Sequence, residues 1–372
     1  MNEHLLQSKI WEKYENLEGK TTFRLTGDDF DCLVTKGETP FGSYLYLPYG
    51  PTLKFDKKSE KSAKTAASTT KPQNATTSNI KTSKKSDAKA KTQAKKALKN
   101  ALSALQTLAK DQNAYFIRIE PTFAFSTADI ASCAKSANAN KSANETSAKI
   151  AKTRKSYDLD PHYTWILDLK TASEEDLLKN MESRKVRYWK NAEKKGITLR
   201  TTKNPEEITI LTDFLKNLGE KDKFIPQTEQ HLKNQLKSGD FATLYIAEFK
   251  DPADETAKKI PIAAALVYDF KDTRYYAHAA TDFEHRKFQA GSIILIQLIL
   301  DAKKDGKKIF DFWGITKSED KNHPWYQFTQ YKKSFGGREV EYSGTYDLIL
   351  NPVKYRLYQL ARKANRLVRK AR

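Results

Sequence analysis

The residues best suited to chemistry fall between Tyr275 and Asp347. They comprise an aromatic strand over 274–279, a turn carrying Arg286 and Lys287, a helix over 291–304 closed by Gly306, and a strand over 308–314 containing Asp311. Beyond them comes Tyr331-Lys332-Lys333-Ser334-Phe335-Gly336-Gly337. A strand, a basic turn and a helix N-terminus together suit an anionic acyl donor, because the first N–H groups of a helix have no partner within it and point outward. The chain has no G-x-S-x-G elbow, no Walker A loop and no metal-spaced His pair. With no covalent nucleophile of its own, it is suited to direct transfer. An amine attacks an activated ester, and the protein aligns the two and stabilises the developing oxyanion.

Arg286-Lys287-Phe288-Gln289-Ala290-Gly291 sits where an acetyltransferase places its pyrophosphate loop, but with a single glycine it offers little of the backbone cradle that coenzyme A needs. Tyr275 and Tyr276 can stack on a donor base or line a peptide channel, and aromatic residues in a strand also serve as core. Asp311 can orient an amine or cap the turn that follows it.

These residues need a scaffold, and the pattern supplies one. Residues 30–35, 44–47, 114–120 and 164–169 read as strands, and 5–17 as an opening helix. A helix starts at Ser173, capped reciprocally by Asp176, and runs to Gly196. Another is capped by Asn204, with Pro205 in its first turn and Gly219 at its end. Residues 241–249, 260–270 and 273–280 read as three antiparallel strands. Strands, a hairpin, then strand-helix-strand is the order of an acetyltransferase-like (GNAT) α/β domain. At 372 residues the chain has room for two domains, although no internal repeat proves a duplication.

The formal charge of +20 is uneven. Residues 56–110 hold 14 Lys and Arg against 3 acids, residues 126–157 hold 6 against 2, and 354–372 hold 8 against none, which leaves the remainder slightly acidic. Basic charge gathered this way favours encounter with polyanions such as tRNA or an anionic membrane, without specifying a bound geometry. The first two stretches read as low-complexity inserts. Residues 56–87 are expected to be disordered, and 88–110 helical, with Leu98, Leu102, Leu105 and Leu108 at helical spacing. In the C-terminal helix, set by Asn351 and Pro352, Val353, Leu357, Leu360, Ala364 and Leu367 form a stripe expected to pack on the first domain. Its last basic turns are a candidate contact for anionic lipid or tRNA. Cys32 and Cys133 support neither a disulfide framework nor a Cys-rich metal site. A reduced, cytoplasmic setting is expected, peripheral to the inner face of the membrane if the substrate is lipid-linked. No apolar run is long enough to span a bilayer.

The order Tyr-Tyr-x-x-Ala, Arg286-Lys287, Phe310-Asp311-Phe312-Trp313-Gly314, Tyr331-Lys332-Lys333-Ser334-Phe335-Gly336-Gly337 and Asn351-Pro352 resembles the C-terminal half of the FemABX peptidyltransferases. The upstream segments 183–196, 42–51 and 117–121 resemble the same family. The resemblance implies two GNAT-like domains in tandem, over 1–160 and 161–345, with 346–372 returning to the first as a basic helix. It implies aminoacyl-tRNA as co-substrate with no other cofactor. The acceptor it implies is a peptidoglycan precursor stem peptide, lipid-linked or UDP-linked, whose amine receives glycine, alanine or serine. It carries a catalytic role to Lys332, in the Tyr331-Lys332 pair at the channel between donor and acceptor. It carries diphosphate binding to Lys36, and the acceptor groove to Tyr115 and Glu120, the latter standing where the family has aspartate. Two departures stand out: Gln227 replaces an arginine and His231 a tyrosine, so the charge and the fork of a guanidinium are missing there. Two other readings stay open, a coenzyme A-dependent N-acyltransferase on the same fold and a non-catalytic tRNA- or envelope-binding protein.

Overall fold

A computed structural model describes residues 3–54, 77–139 and 148–371, with side chains described outside 77–87 and 366–371. The chain divides into two compact units, one formed by Met1–His162 with Glu341–Arg372 and the other by Tyr163–Val340.

The first unit opens with α1 (Lys9–Leu17), capped by the Ser8 hydroxyl. It continues through β1 (Thr22–Thr26), β2 (Phe30–Thr39), β3 (Gly42–Leu47) and β4 (Thr52–Leu53). Then come α2 (Thr77–Asp111), β5 (Ala114–Ile119), α3 (Thr127–Ala139) and β6 (Lys152–Lys155).

The second unit comprises β7 (Tyr163–Asp168), α4 (Glu174–Lys179), α5 (Ser183–Lys190), β8 (Ile197–Thr202), α6 (Ile208–Asp222), α7 (Glu229–Lys237) and β9 (Ala242–Phe249). It is completed by β10 (Ile260–Phe270), β11 (Thr273–Thr281), α8 (Ala290–Lys304), β12 (Ile309–Gly314), α9 (Tyr326–Lys333) and β13 (Arg338–Glu341). The chain then returns to the first unit with β14 (Tyr346–Ile349) and α10 (Pro352–Ala371).

Among the described residues both sheets have seven strands. The first runs β1-β2-β3-β5-β14-β6 with β4 beside β2, and the second runs β13-β7-β12-β11-β10-β9-β8. In the second, β11 and β12 pair in parallel only from Thr273↔Ile309 to Tyr275↔Asp311. Beyond that point β11 stays with β10, out to Ala263↔Thr281. The sheet therefore splays, as in an acetyltransferase, and the N-terminus of α8 follows the strand that leads away. Apolar α8 packs in this unit's core through Ile293, Ile296, Leu298 and Ile299, beside Phe310 and Phe312 of β12.

Several expectations change. The two low-complexity stretches, read as inserts, contribute to the core over their described parts, and the helix expected over 88–110 is present. α2 buries Ala94, Ala97, Leu98, Ala101, Leu102 and Leu105, and α3 buries Ile130, Cys133 and Ala134, in the first unit's core. Alanine- and leucine-rich faces suffice because a helix packed on a sheet needs only one apolar stripe. α2 begins at Thr77, so only 56–76 of the stretch expected to be disordered, with 140–147 of the second, lie outside the described residues.

The boundary at 345 also moves. Ser343 accepts from the Phe125 N–H at 2.8 Å and Thr345 donates to Glu120 at 2.6 Å, which ties 341–345 to the first unit. Finally, the expected packing face of the C-terminal helix is reversed. Tyr355 and Tyr358 lie on Phe116, and the Tyr355 hydroxyl donates to Asp347 at 2.7 Å. Val353, Leu357 and Leu360 are 71%, 46% and 58% exposed. Two tyrosines with a buried carboxylate to bond outcompete a plain aliphatic stripe for the same seat.

The N-terminal caps read from the sequence hold, whereas the helix expected to end at Gly219 runs on to Asp222. Ser173 and Asp176 form a reciprocal capping box, and the Asn204 side chain accepts from the Glu206 N–H ahead of Pro205. The helix expected to run unbroken from Ser173 to Gly196 instead breaks after Lys179, resumes as α5, and ends in a short turn with Gly196 left-handed.

Candidate active site

In the second unit, a cavity of about 310 Å³ opens in the sheet splay, lined by Tyr276, Ala279 and Thr281 of β11, Arg286 in the turn before α8, Gly291 and Ser292 in its first turn, and Phe328 and Tyr331 of α9. The wall is mostly apolar, with one cation and a helix N-terminus at its rim. This suits an acyl group attached to something anionic. Gly291 fits because a Cβ there would press on the Thr281 methyl at 3.0 Å. Arg286 stacks on Phe283 at 4.1 Å, which leaves its guanidinium exposed. Tyr331 is held by Ser292 and flanked by the Lys185 ammonium 5.5 Å from its ring.

Lys332 is the unusual group. It sits in the last turn of α9, is 1% exposed, and donates to the Gly314 carbonyl at 2.7 Å. Its ammonium lies 4.0 Å from the centre of the Phe328 ring, and Phe328 also lines the cavity. Burial pulls this ammonium down to about 7, while the Asp311 charge holds it up. Burial likewise pushes Asp311 up to about 6, against the Thr164 hydroxyl, the Trp313 N–H and Lys332.

The backbone here is strained. Trp313, not a glycine, has φ 66°, and its N–H donates to Asp311 Oδ1 at 2.8 Å. A β-ladder irregularity between Asp311 and Gly314 accompanies it. Holding a tryptophan left-handed costs on the order of 1–3 kcal/mol, and such outliers collect at functional sites.

Of the expected site residues in this unit, Arg286 and Tyr331 meet at the cavity, while Asp311 and Lys332 meet beside it. Asp311 does bond the turn that follows it. Tyr275 does not join them: it packs edge-on against Trp313 at 5.6 Å, whereas its neighbour Tyr276 lines the cavity. Alternation along a strand decides this, since adjacent side chains take opposite faces.

Glu120, in the first unit, is 3% exposed and belongs to a polar cluster. The Tyr46 phenol oxygen lies 2.7 Å from Glu120 Oε2 and 2.6 Å from Asp160 Oδ2. A phenol has one hydrogen, so it can donate to only one of these carboxyls. A second proton held within the cluster satisfies the other, and Glu120 and Asp160 also bond each other directly. Burial, then the charge of Asp160, push Glu120 up to about 8, against bonds from the Thr345 and Tyr46 hydroxyls and the Leu159 N–H. Asp160 is raised by burial too.

Glu120 therefore keeps its proton in the native state well above the pH at which the unfolded chain loses it, and stability is expected to fall as pH rises from about 5 to about 8. Glu120→Gln is expected to flatten that slope, which thermal midpoints across the range would show. Identical slopes in both proteins would refute the assignment. Tyr46, Asp160 and Thr345 carried no local signal in the sequence, because they converge from separate strands and a loop.

Tyr115 is core rather than open groove: its hydroxyl meets Thr39 at 2.9 Å and its ring lies edge-on to Tyr358 of α10. Lys36, on β2, pairs with Glu38 at 3.0 Å and is partly exposed.

Comparison with known proteins now decides the family. The FemAB family model matches residues 88–248 and 215–363. This chain belongs to the FemAB family. A Lipid II:glycine glycyltransferase of Staphylococcus epidermidis strain ATCC 35984 is 24% identical over 156 residues, which is 41% of this chain and 38% of that protein. A protein of the same name from Staphylococcus haemolyticus is 25% identical over 131 residues, 34% of this chain and 31% of that one. The chain thus matches about a third of the length of these relatives. The crystal structure of FemX superposes with a TM-score of 0.71 at 18% identity, covering 96% of this chain and 94% of that one. The fold of this FemAB-family chain is accordingly the expected α/β one, with two acetyltransferase-like units in tandem.

Proposed function

We propose that this chain is an aminoacyltransferase of peptidoglycan bridge formation, moving glycine, alanine or serine from aminoacyl-tRNA to an amino group of a precursor stem peptide. The observation that carries the reading is a buried lysine ammonium beside a splayed-sheet cavity, in a chain of the FemAB family. The names of the matched glycyltransferases support the acceptor class. In this reading the cavity holds the aminoacyl ester, with Arg286 and the start of α8 facing the terminal phosphate. The acceptor nitrogen attacks the ester carbonyl, a C–N bond forms, the C–O bond to ribose breaks, and the proton lost by the amine passes to the departing hydroxyl. Lys332 faces the negative charge that builds on the carbonyl oxygen, and its lowered pKa suits it to hand on a proton near neutrality. Lys36 and Glu120 serve the acceptor. No other cofactor enters this scheme.

The test offers charged tRNAs one at a time with soluble and with lipid-linked precursors, and scores label in the peptide. Incorporation is expected from at least one charged tRNA. Protection by coenzyme A, with none by any charged tRNA, would instead favour an N-acyltransferase using Arg286 for a pyrophosphate. Arg286→Ala is expected to raise KM for the charged tRNA about tenfold with kcat little changed, because one phosphate contact to an exposed cation is lost. An unchanged KM would remove Arg286 from the donor site.

A further inference from the structure

Helix α10 presents two faces of opposite use. Tyr355, Tyr358 and Arg362 turn inward, the last with its guanidinium 3.0 Å from the centre of the Tyr157 ring. Val353, Leu357, Leu360 and Ala364, spaced three and four apart, turn outward and are exposed. Arg356 and Lys363 flank this stripe, also exposed. From residue 354 to the C-terminus there are eight Lys and Arg and no acid.

An exposed leucine face is unfavourable in water, so something of matching character is expected to cover it. The character is specific: apolar in the middle and anionic at the edges. Nucleic acid offers the charge without an apolar layer. A second copy of the same helix offers the apolar layer but brings like charges together. The headgroup region of an anionic bilayer offers both, and a helix with one leucine face and basic flanks lies in that plane. No described helix is long and apolar enough to cross a membrane, so the contact is peripheral.

We propose that α10 is a membrane-docking helix whose Val353, Leu357 and Leu360 sink into the surface of an anionic bilayer while Arg356 and Lys363 meet lipid phosphates. If the acceptor proposed above is lipid-linked, docking would hold the protein at the plane where that acceptor lies.

Full-length protein would be floated with vesicles of phosphatidylcholine, with and without phosphatidylglycerol. Binding is expected to the anionic vesicles, weaker by about tenfold on neutral ones and in high salt. Leu357→Ser with Leu360→Ser is expected to lower partitioning by about tenfold or more at an unchanged thermal midpoint, since neither side chain is in the core. Arg356→Gln with Lys363→Gln should abolish the salt dependence of what remains. Absence of binding, equal binding by the serine variant, or a stripe that alters only the monomer–dimer equilibrium would overturn the proposal. Flotation needs no turnover, so its outcome stands apart from that of the transfer assay.

Discussion

Lys332→Met is expected to reduce kcat of aminoacyl transfer by about 10²–10³-fold, the usual loss when one buried donor facing a developing oxyanion is removed. The side chain is 1% exposed and its ammonium bonds a backbone carbonyl, so methionine fills similar space while removing the charge. Removal leaves the Gly314 carbonyl unpaired, which costs about 1–3 kcal/mol of stability. A thermal midpoint measured alongside kcat separates that loss from the catalytic one.

Asp311→Asn supplies the readout that a purely structural lysine would not move. The Asp311 charge holds the Lys332 ammonium up against burial, which has pulled it to about 7. Without that charge the ammonium should lose its proton at lower pH, and the alkaline limb of the kcat profile should shift toward acid. Asparagine still accepts from the Trp313 N–H and the Thr164 hydroxyl, so the turn is retained. A Lys332→Met protein with more than a tenth of normal transfer, or an unmoved limb in Asp311→Asn, would end the catalytic assignment.

Arg118→Met should be the most destabilising single change in the first unit, by about 3–5 kcal/mol, because it strands a buried carboxylate. Arg118 and Asp347 face each other across β5 and β14 and are joined by two bonds of 2.7 and 2.8 Å. Arg118 is 1% and Asp347 0% exposed. The Tyr157 hydroxyl accepts from Arg118 at 2.8 Å, and Tyr355 donates to Asp347 at 2.7 Å. The pair thus also anchors α10. Replacing both partners, Arg118→Met with Asp347→Leu, should recover most of the loss, since a well-packed apolar pair often equals a buried ion pair. The measurement is denaturant unfolding of the two variants. A single variant costing under about 1 kcal/mol would show that the carboxylate finds water or another partner.

Legibility followed the range of the physics. Caps at Ser173 and Asn204 and the hairpin of β10 and β11 depend on neighbours a few residues away, and they were readable. In the alanine- and lysine-rich stretch leucine spacing made the helix over 88–110 readable, but composition alone could not register that one face of α2 meets a sheet. Tyr275 and Tyr276 could be told apart only by which face of β11 looks into the splay.

The sequence by itself determined the two-unit α/β class, the family, and the identity of Lys332, Arg286 and Tyr331 as residues to watch. All of these rest on the order of motifs along the chain and on the family resemblance that this order carries. Only the tertiary structure decided that Lys332 is buried against Gly314 and Asp311, that Glu120 shares a proton network with Asp160 through Tyr46, and that the leucine face of α10 turns outward. Those outcomes depend on desolvation and on competition among side chains distant in sequence, and no local pattern records which contender takes the buried seat.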